Sequence, residues 1–112
     1  MRDLTKNRVR QQRWRATDGG KATMKRLLAK HRAVGMALVD EAKLAGCKDC
    51  GITDVRVLEF DHVPERGPKR YGIMGVLAST HRLKEELAKC DVVCANCHAI
   101  RTRERGQGWR AL

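Results

Sequence analysis

The sequence predicts an α+β fold: a small mixed core stapled by a four-cysteine zinc site and preceded by a basic helical segment. Three observations carry this. Two Cys-x-x-Cys pairs, Cys47/Cys50 and Cys94/Cys97, stand far apart along the chain. A β-branched, half-alternating run, "VRVLEFDHV" at 55–63, lies between them. Ahead of both, apolar residues recur at helical spacing in a segment rich in Lys and Arg. At 112 residues the prior is one domain. We divide it into a basic helical N-terminal segment at 1–42, a core at 43–106 and a short tail at 107–112.

The elements follow in chain order. Residues 1–20 are basic and polar, with Arg8, Arg10, Arg13 and Arg15 around Trp14, and end in a Gly19-Gly20 break. Residues 22–45 read as a helix, since Met24, Leu27, Leu28, Val34, Leu38, Ala42 and Ala45 share its period. Lys25 and Arg26 lie off that stripe. Gly46 is the expected stop. "CKDCG" at 47–51 makes a tight turn, and 55–63 is the strand. "PERGPKRYG" at 64–72 is loop, holding both prolines. Residues 73–89 read as helical through Ile73, Val76, Leu77, Leu83 and Leu87. "DVVC" at 91–94 is a short strand, and "ANCHAIRTRERG" opens a last helix. Cys90 continues the row of Leu83 and Leu87 and fits a core position.

Charge narrows the function classes. There are 24 Lys+Arg against 13 Asp+Glu, a net charge of +11. Eleven of the 24 fall within residues 1–32, against Asp3 and Asp18. Such a field points to a polyanion, nucleic acid or an anionic membrane surface, with nucleic acid the expected partner. No apolar run approaches the ~18 residues of a membrane span, and the N-terminus lacks an apolar signal region. The expected location is therefore the cytoplasm, with no membrane partner. In a reducing compartment five cysteines read as metal ligands or thiols rather than disulfides.

"CANCH" at 94–98 also fits covalent haem attachment. That reading needs export and leaves Cys47 and Cys50 unexplained. A structural Zn²⁺ shared by the two knuckles explains all four thiolates. The 43 residues between Cys50 and Cys94 exceed the ~15–20 of a compact zinc ribbon, so the metal would close a long loop holding the best strand.

Inside that loop lies Asp61-His62. A carboxylate beside an imidazole can hold a hard metal, or hold and use a general base; it can also be a polar strand end facing solvent. Zinc closure would carry His98 toward this strand. Arg101, Arg103 and Arg105 suit phosphate contact or a solvated helix face. His81 and His31 read as surface histidines.

In this order, "GCKDCG…LEFDHV…KCDVVCANCHAIRT" resembles the HNH endonuclease family, in its small phage and bacterial form, over residues 43–105. The resemblance implies a ββα-metal core that hydrolyses phosphodiester bonds in DNA, by nicking or double-strand cleavage. It implies His62 as the general base that activates water. It implies Asp61 and His98 as ligands of one catalytic divalent ion (Mg²⁺, Mn²⁺, Ni²⁺ or Zn²⁺). The cytoplasm in question would be that of a bacterium or a phage-infected host, with phage DNA-packaging components as associated partners. One departure stands out. The family's middle asparagine commonly lies where this chain has Lys89, and Asn96 is the nearest substitute for its role of orienting the base. Nucleic-acid contacts are expected from Arg8, Arg10, Arg13, Arg15, Lys25, Arg26, Arg101 and Arg103. The alternative is a non-catalytic zinc-knuckle DNA-binding or regulatory protein, which has no need of Asp61, His62 and His98 together.

Overall fold

In the computed structural model, which describes residues 4–106, the chain begins as a helical hairpin, α1 (Leu4–Ala16) and α2 (Asp18–Ala42). The break between them falls at Thr17, ahead of the expected Gly19-Gly20. Thr17 is extended, its hydroxyl donates to the Trp14 carbonyl (2.6 Å) and accepts from the Gly20 N–H (3.0 Å). This is an N-cap, which satisfies a helix-start donor and outcompetes the glycines as a break. Gly20 instead serves close approach: a Cβ there would lie 1.9 Å from the Trp14 carbonyl oxygen.

Only the second half of α2 is seated. Val39 is buried with Ile73, Val76, Leu77 and Leu83, and Gly35 lets the helix touch the chain at Leu77, whose carbonyl would sit 2.0 Å from an added Cβ. Met24, Leu27, Leu28 and Val34, expected on the apolar stripe, are exposed. The helix ends at Ala42, and Gly46 (φ +78°) makes the left-handed turn into the first knuckle.

The sheet is one antiparallel pair, β1 (Leu58–His62) and β2 (Cys90–Cys94), with Leu58 opposite Cys94, Asp61 opposite Asp91 and His62 opposite Cys90. The expected strand start at 55 is instead a 3-10 turn, Val55–Val57, because Asp54 caps it through the Arg56 N–H (3.0 Å). The expected helix 73–89 is split as well. A 3-10 turn, Ile73–Val76, buries both its ends, since residues three apart eclipse in that geometry. The chain then extends at Ser79 and restarts as α3 (Thr80–Ala88). The last helix, α4 (Ala95–Glu104), grows directly from β2, with Cys94 as its cap. A second apolar cluster, Cys47, Leu58, Val93 and Cys94, surrounds the sulfurs. The fold is thus mixed helix with a small two-stranded sheet, 58 × 26 × 26 Å in extent. No helix among the described residues is long and apolar enough to cross a membrane. The expected tail at 107–112 lies outside the described residues.

Candidate functional site

The first knuckle is stitched to β2. The Cys47 N–H donates to the Ile52 carbonyl (2.8 Å) and the Lys48 N–H to the Val92 carbonyl (2.8 Å). In each knuckle the N–H of the second cysteine approaches the sulfur of the first, Cys50 to Cys47 (3.5 Å) and Cys97 to Cys94 (3.4 Å). All four Sγ atoms lie within 4.8 Å of one another. The Cys50 and Cys94 sulfurs are 3.7 Å apart. A tetrahedron with Zn–S bonds of about 2.3 Å has an edge of about 3.8 Å, so the residues fit a zinc ion. Burial pushes the Cys47 thiol up, but backbone hydrogen bonds from Cys50, Cys94 and Asp49 outweigh it and bring it down to about 6. The Cys97 thiol is raised, first by its bond to Cys94 and then by burial. Four thiolates at this spacing need a cation between them. Cys90 stays outside the set: its thiol donates to the Glu86 carbonyl (3.2 Å) and burial pushes it up to about 11.

An arginine–aspartate network ties this site to the strands. Arg101 grips Asp49, inside the first knuckle, through Nε and Nη2 (2.6 Å each). Its Nη1 donates to both Asp61 and Asp91 (2.9 Å each). Arg105 adds two bonds to Asp61 (2.7 and 2.9 Å). Asp61 is buried, which pushes its carboxyl up, yet the two arginines hold it below the usual range. Arg101, expected among the nucleic-acid contacts, is paired in the fold with three carboxylates.

Neighbouring strand residues point to opposite faces, and this separates Asp61 from His62. Asp61 shares its face with Glu59, and both meet His98 on α4. His98 Nδ1 lies 3.1 Å from Glu59 Oε2, and its Nε2 lies 3.5 Å from Asp61 Oδ1. In the neutral tautomer that donates Nδ1–H to Glu59, the Nε2 lone pair faces a carboxylate oxygen. Two acceptors so placed are a fitting pair for a cation, and a carboxylate on the far nitrogen is the usual support of a metal-binding histidine. Among the described residues, however, only the cysteine set groups three or more metal-ligating side chains.

His62 faces the other way, and its Nε2 meets Glu86 Oε2 at 3.0 Å. Both faces open into one cleft of ≈ 380 Å³ at the end of the hairpin, lined by Asp61, His62, Lys69, His98, Thr102 and Arg105 among others. Asn96 is exposed on the first turn of α4 and does not line it. His31 is exposed, and His81 pairs with Glu85 (3.0 Å) on the surface.

Arg8, Arg10, Arg13, Arg15, Lys25, Arg26 and Arg103 are all exposed. Sequence reasoning missed Asp49, Glu59, Glu86 and Asp91. An acidic residue inside a knuckle and one beside a cysteine were visible, but their partners lie up to 52 residues away. Comparison with protein-family models, with curated proteins and with solved structures finds no match to the chain.

Proposed function

We propose that this chain is a zinc-stapled, metal-dependent endonuclease of the ββα-metal type that hydrolyses phosphodiester bonds in DNA. The observation that carries it is the shared cleft: His62 from one face of β1 and the Asp61–His98 pair from the other line it together, with Lys69 and Arg105 on the wall. The succession of β1, β2 and α4, with β1 and α4 lining that cleft, supports the ββα reading.

The chemistry follows from these side chains. Lys69 offers positive charge to a phosphate entering the cleft. His62 in its neutral form takes a proton from the attacking water. Asp61 and His98 would hold a divalent ion such as Mg²⁺, Mn²⁺, Ni²⁺ or Zn²⁺. Such an ion, when bound, stabilises charge developing on the phosphate and leaving oxygens. The exposed arginines of α1 and α2 hold the duplex by its phosphates, mostly without reading sequence.

One observation favours a second reading. Both Asp61 oxygens already accept from arginines, which suits a buttress in a non-catalytic zinc-knuckle DNA-binding protein. Incubation of the purified protein with supercoiled plasmid, with and without Mg²⁺, Mn²⁺ or Ni²⁺, separates the two. Wild type should relax or linearise the plasmid only with an added ion. His62→Ala should lose about 10²–10⁴-fold in rate while its zinc content and DNA affinity stay unchanged. Tight binding without cleavage under every ion selects the second reading.

A further inference from the structure

Glu86 is 1% exposed and, with Asp61, one of two buried charged residues among those described. It occupies a core position, three residues after Leu83 and four before Cys90 on the face that α3 presents to the interior. An apolar side chain would continue that face. A buried carboxylate adds little stability even when well paired, because desolvation offsets the attraction. Its presence at a core position calls for another reason.

Its partners supply one. Oε1 accepts from Lys89 Nζ (2.8 Å), and Lys89 also donates to the Pro68 carbonyl (3.0 Å). Oε2 meets His62 Nε2 at 3.0 Å. The bond from Lys89, foremost, holds the Glu86 carboxyl below the usual range against its burial. An ionised carboxylate only accepts hydrogen bonds. The ring proton of neutral His62 therefore sits on Nε2, and Nδ1 keeps its lone pair.

We propose that Glu86, held by Lys89, is a positioning residue for His62: it fixes the ring and its Nε2–H tautomer and so leaves Nδ1 as the proton-accepting nitrogen. The proposal deepens the nuclease reading and rests on it for its catalytic half. The tautomer half stands on the contacts around Glu86, whether or not the chain cuts DNA.

The two halves have separate readouts. Long-range ¹⁵N–¹H spectra of the zinc-loaded wild type near neutral pH, with no second ion added, report the tautomer directly. The expected result is Nε2–H for His62; an Nδ1–H tautomer overturns the proposal. Glu86→Gln is the informative variant, because a glutamine has one acceptor oxygen. Lys89 should claim it, turning the amide N–H toward Nε2 and inverting the tautomer. On plasmid, kcat should then fall about 10²–10⁴-fold with KM within about twofold, as when a histidine-orienting carboxylate becomes an amide elsewhere. Adding Lys89→Met to Glu86→Gln frees the amide oxygen for Nε2–H, so part of kcat should return with the tautomer. A merely structural Glu86 predicts no such rescue. If Glu86→Gln keeps wild-type kcat, the positioning role is wrong; if it fails to fold, the wild-type spectrum still decides. A wild type that leaves plasmid intact under every ion overturns the nuclease reading and with it the catalytic half, while the spectrum judges the tautomer independently.

Discussion

Asp61 and Asp91 stand directly opposite each other across the hairpin, and like charges so placed ordinarily destabilise a strand pair. Here Arg101 donates one nitrogen to both, and Arg66 and Lys48 close on Asp91 at 2.9 and 3.3 Å. Burial pushes the Asp91 carboxyl up, but Arg101, Arg66 and Lys48 outweigh it and bring it down to about 2. A carboxyl whose folded value lies below its unfolded one stabilises the fold above the unfolded value. That contribution is lost as pH falls through the folded value. Asp91→Asn should therefore cost about 1–3 kcal/mol at neutral pH. The gap from wild type should be full above about pH 4, the ordinary aspartate range, and should close as pH approaches about 2. Thermal melts of both zinc-loaded proteins, at neutral pH and downward for as long as each keeps its zinc, measure it. Equal melting of the two at neutral pH would show that Asp91 contributes nothing as a charged group. None of this pairing was legible in advance. Asp61, His62 and His98 were legible because their spacing forms a pattern; Asp49, Glu59, Glu86 and Asp91 became visible only when the fold chose their partners.

The helical hairpin divides into a seated end and a reaching end. Gly35 and Val39 anchor α2 against Leu77 and the α3 face, while α1 buries none of its described residues. An element without core contacts has little to do for stability, and its exposed cations then need another account. If α1 lies along duplex DNA, changing Arg8, Arg10, Arg13 and Arg15 together to Gln should flatten the salt dependence of binding. The log–log slope should fall by up to about 3.6, at about 0.9 per phosphate contact. Residual cleavage per bound complex should be unchanged. Fluorescence anisotropy over a salt series reads the slope, and an unaltered slope would remove α1 from the interface. The hairpin also marks the boundary of sequence reading at this scale. Helix existence and period were plain, but the ends were misplaced wherever a side-chain cap outcompeted a glycine, as Thr17 did over Gly19-Gly20. The apolar stripe was real, yet only its second half found a core, because periodicity reports an apolar face and not what covers it.

At the scale of the whole molecule the described residues form two cores, and one of these is held by apolar contact alone. Val39, Ile73, Val76, Leu77 and Leu83 close the first. The second gathers around Cys47, Leu58, Val93 and Cys94, where half the buried residues are themselves candidate ligands. The thiolate set joins segments 43 residues apart, so removing its ion undoes a core and opens a long loop together. The Asp61–His98 pair offers two harder ligands in an open cleft and should bind far more weakly, since softness and ligand number both favour the cysteines. On the proposed nuclease reading, two metals with separate roles should thus be separable. Mild EDTA should abolish cleavage while circular dichroism stays native, and added Mg²⁺ or Mn²⁺ should restore cutting without refolding. Asp61→Ala and His98→Ala should each retain one zinc per chain and lose activity. Cys47→Ser should lose the zinc and unfold or aggregate, because so small a core cannot compensate. Cys90→Ser should fold with its zinc complement intact, since that thiol lies outside the set. Metal content by mass spectrometry, paired with a cleavage assay on each variant, decides the matter. Cys47→Ser folding normally with full zinc would refute the two-site scheme, and so would wild type unfolding under mild chelation at the moment its activity disappears.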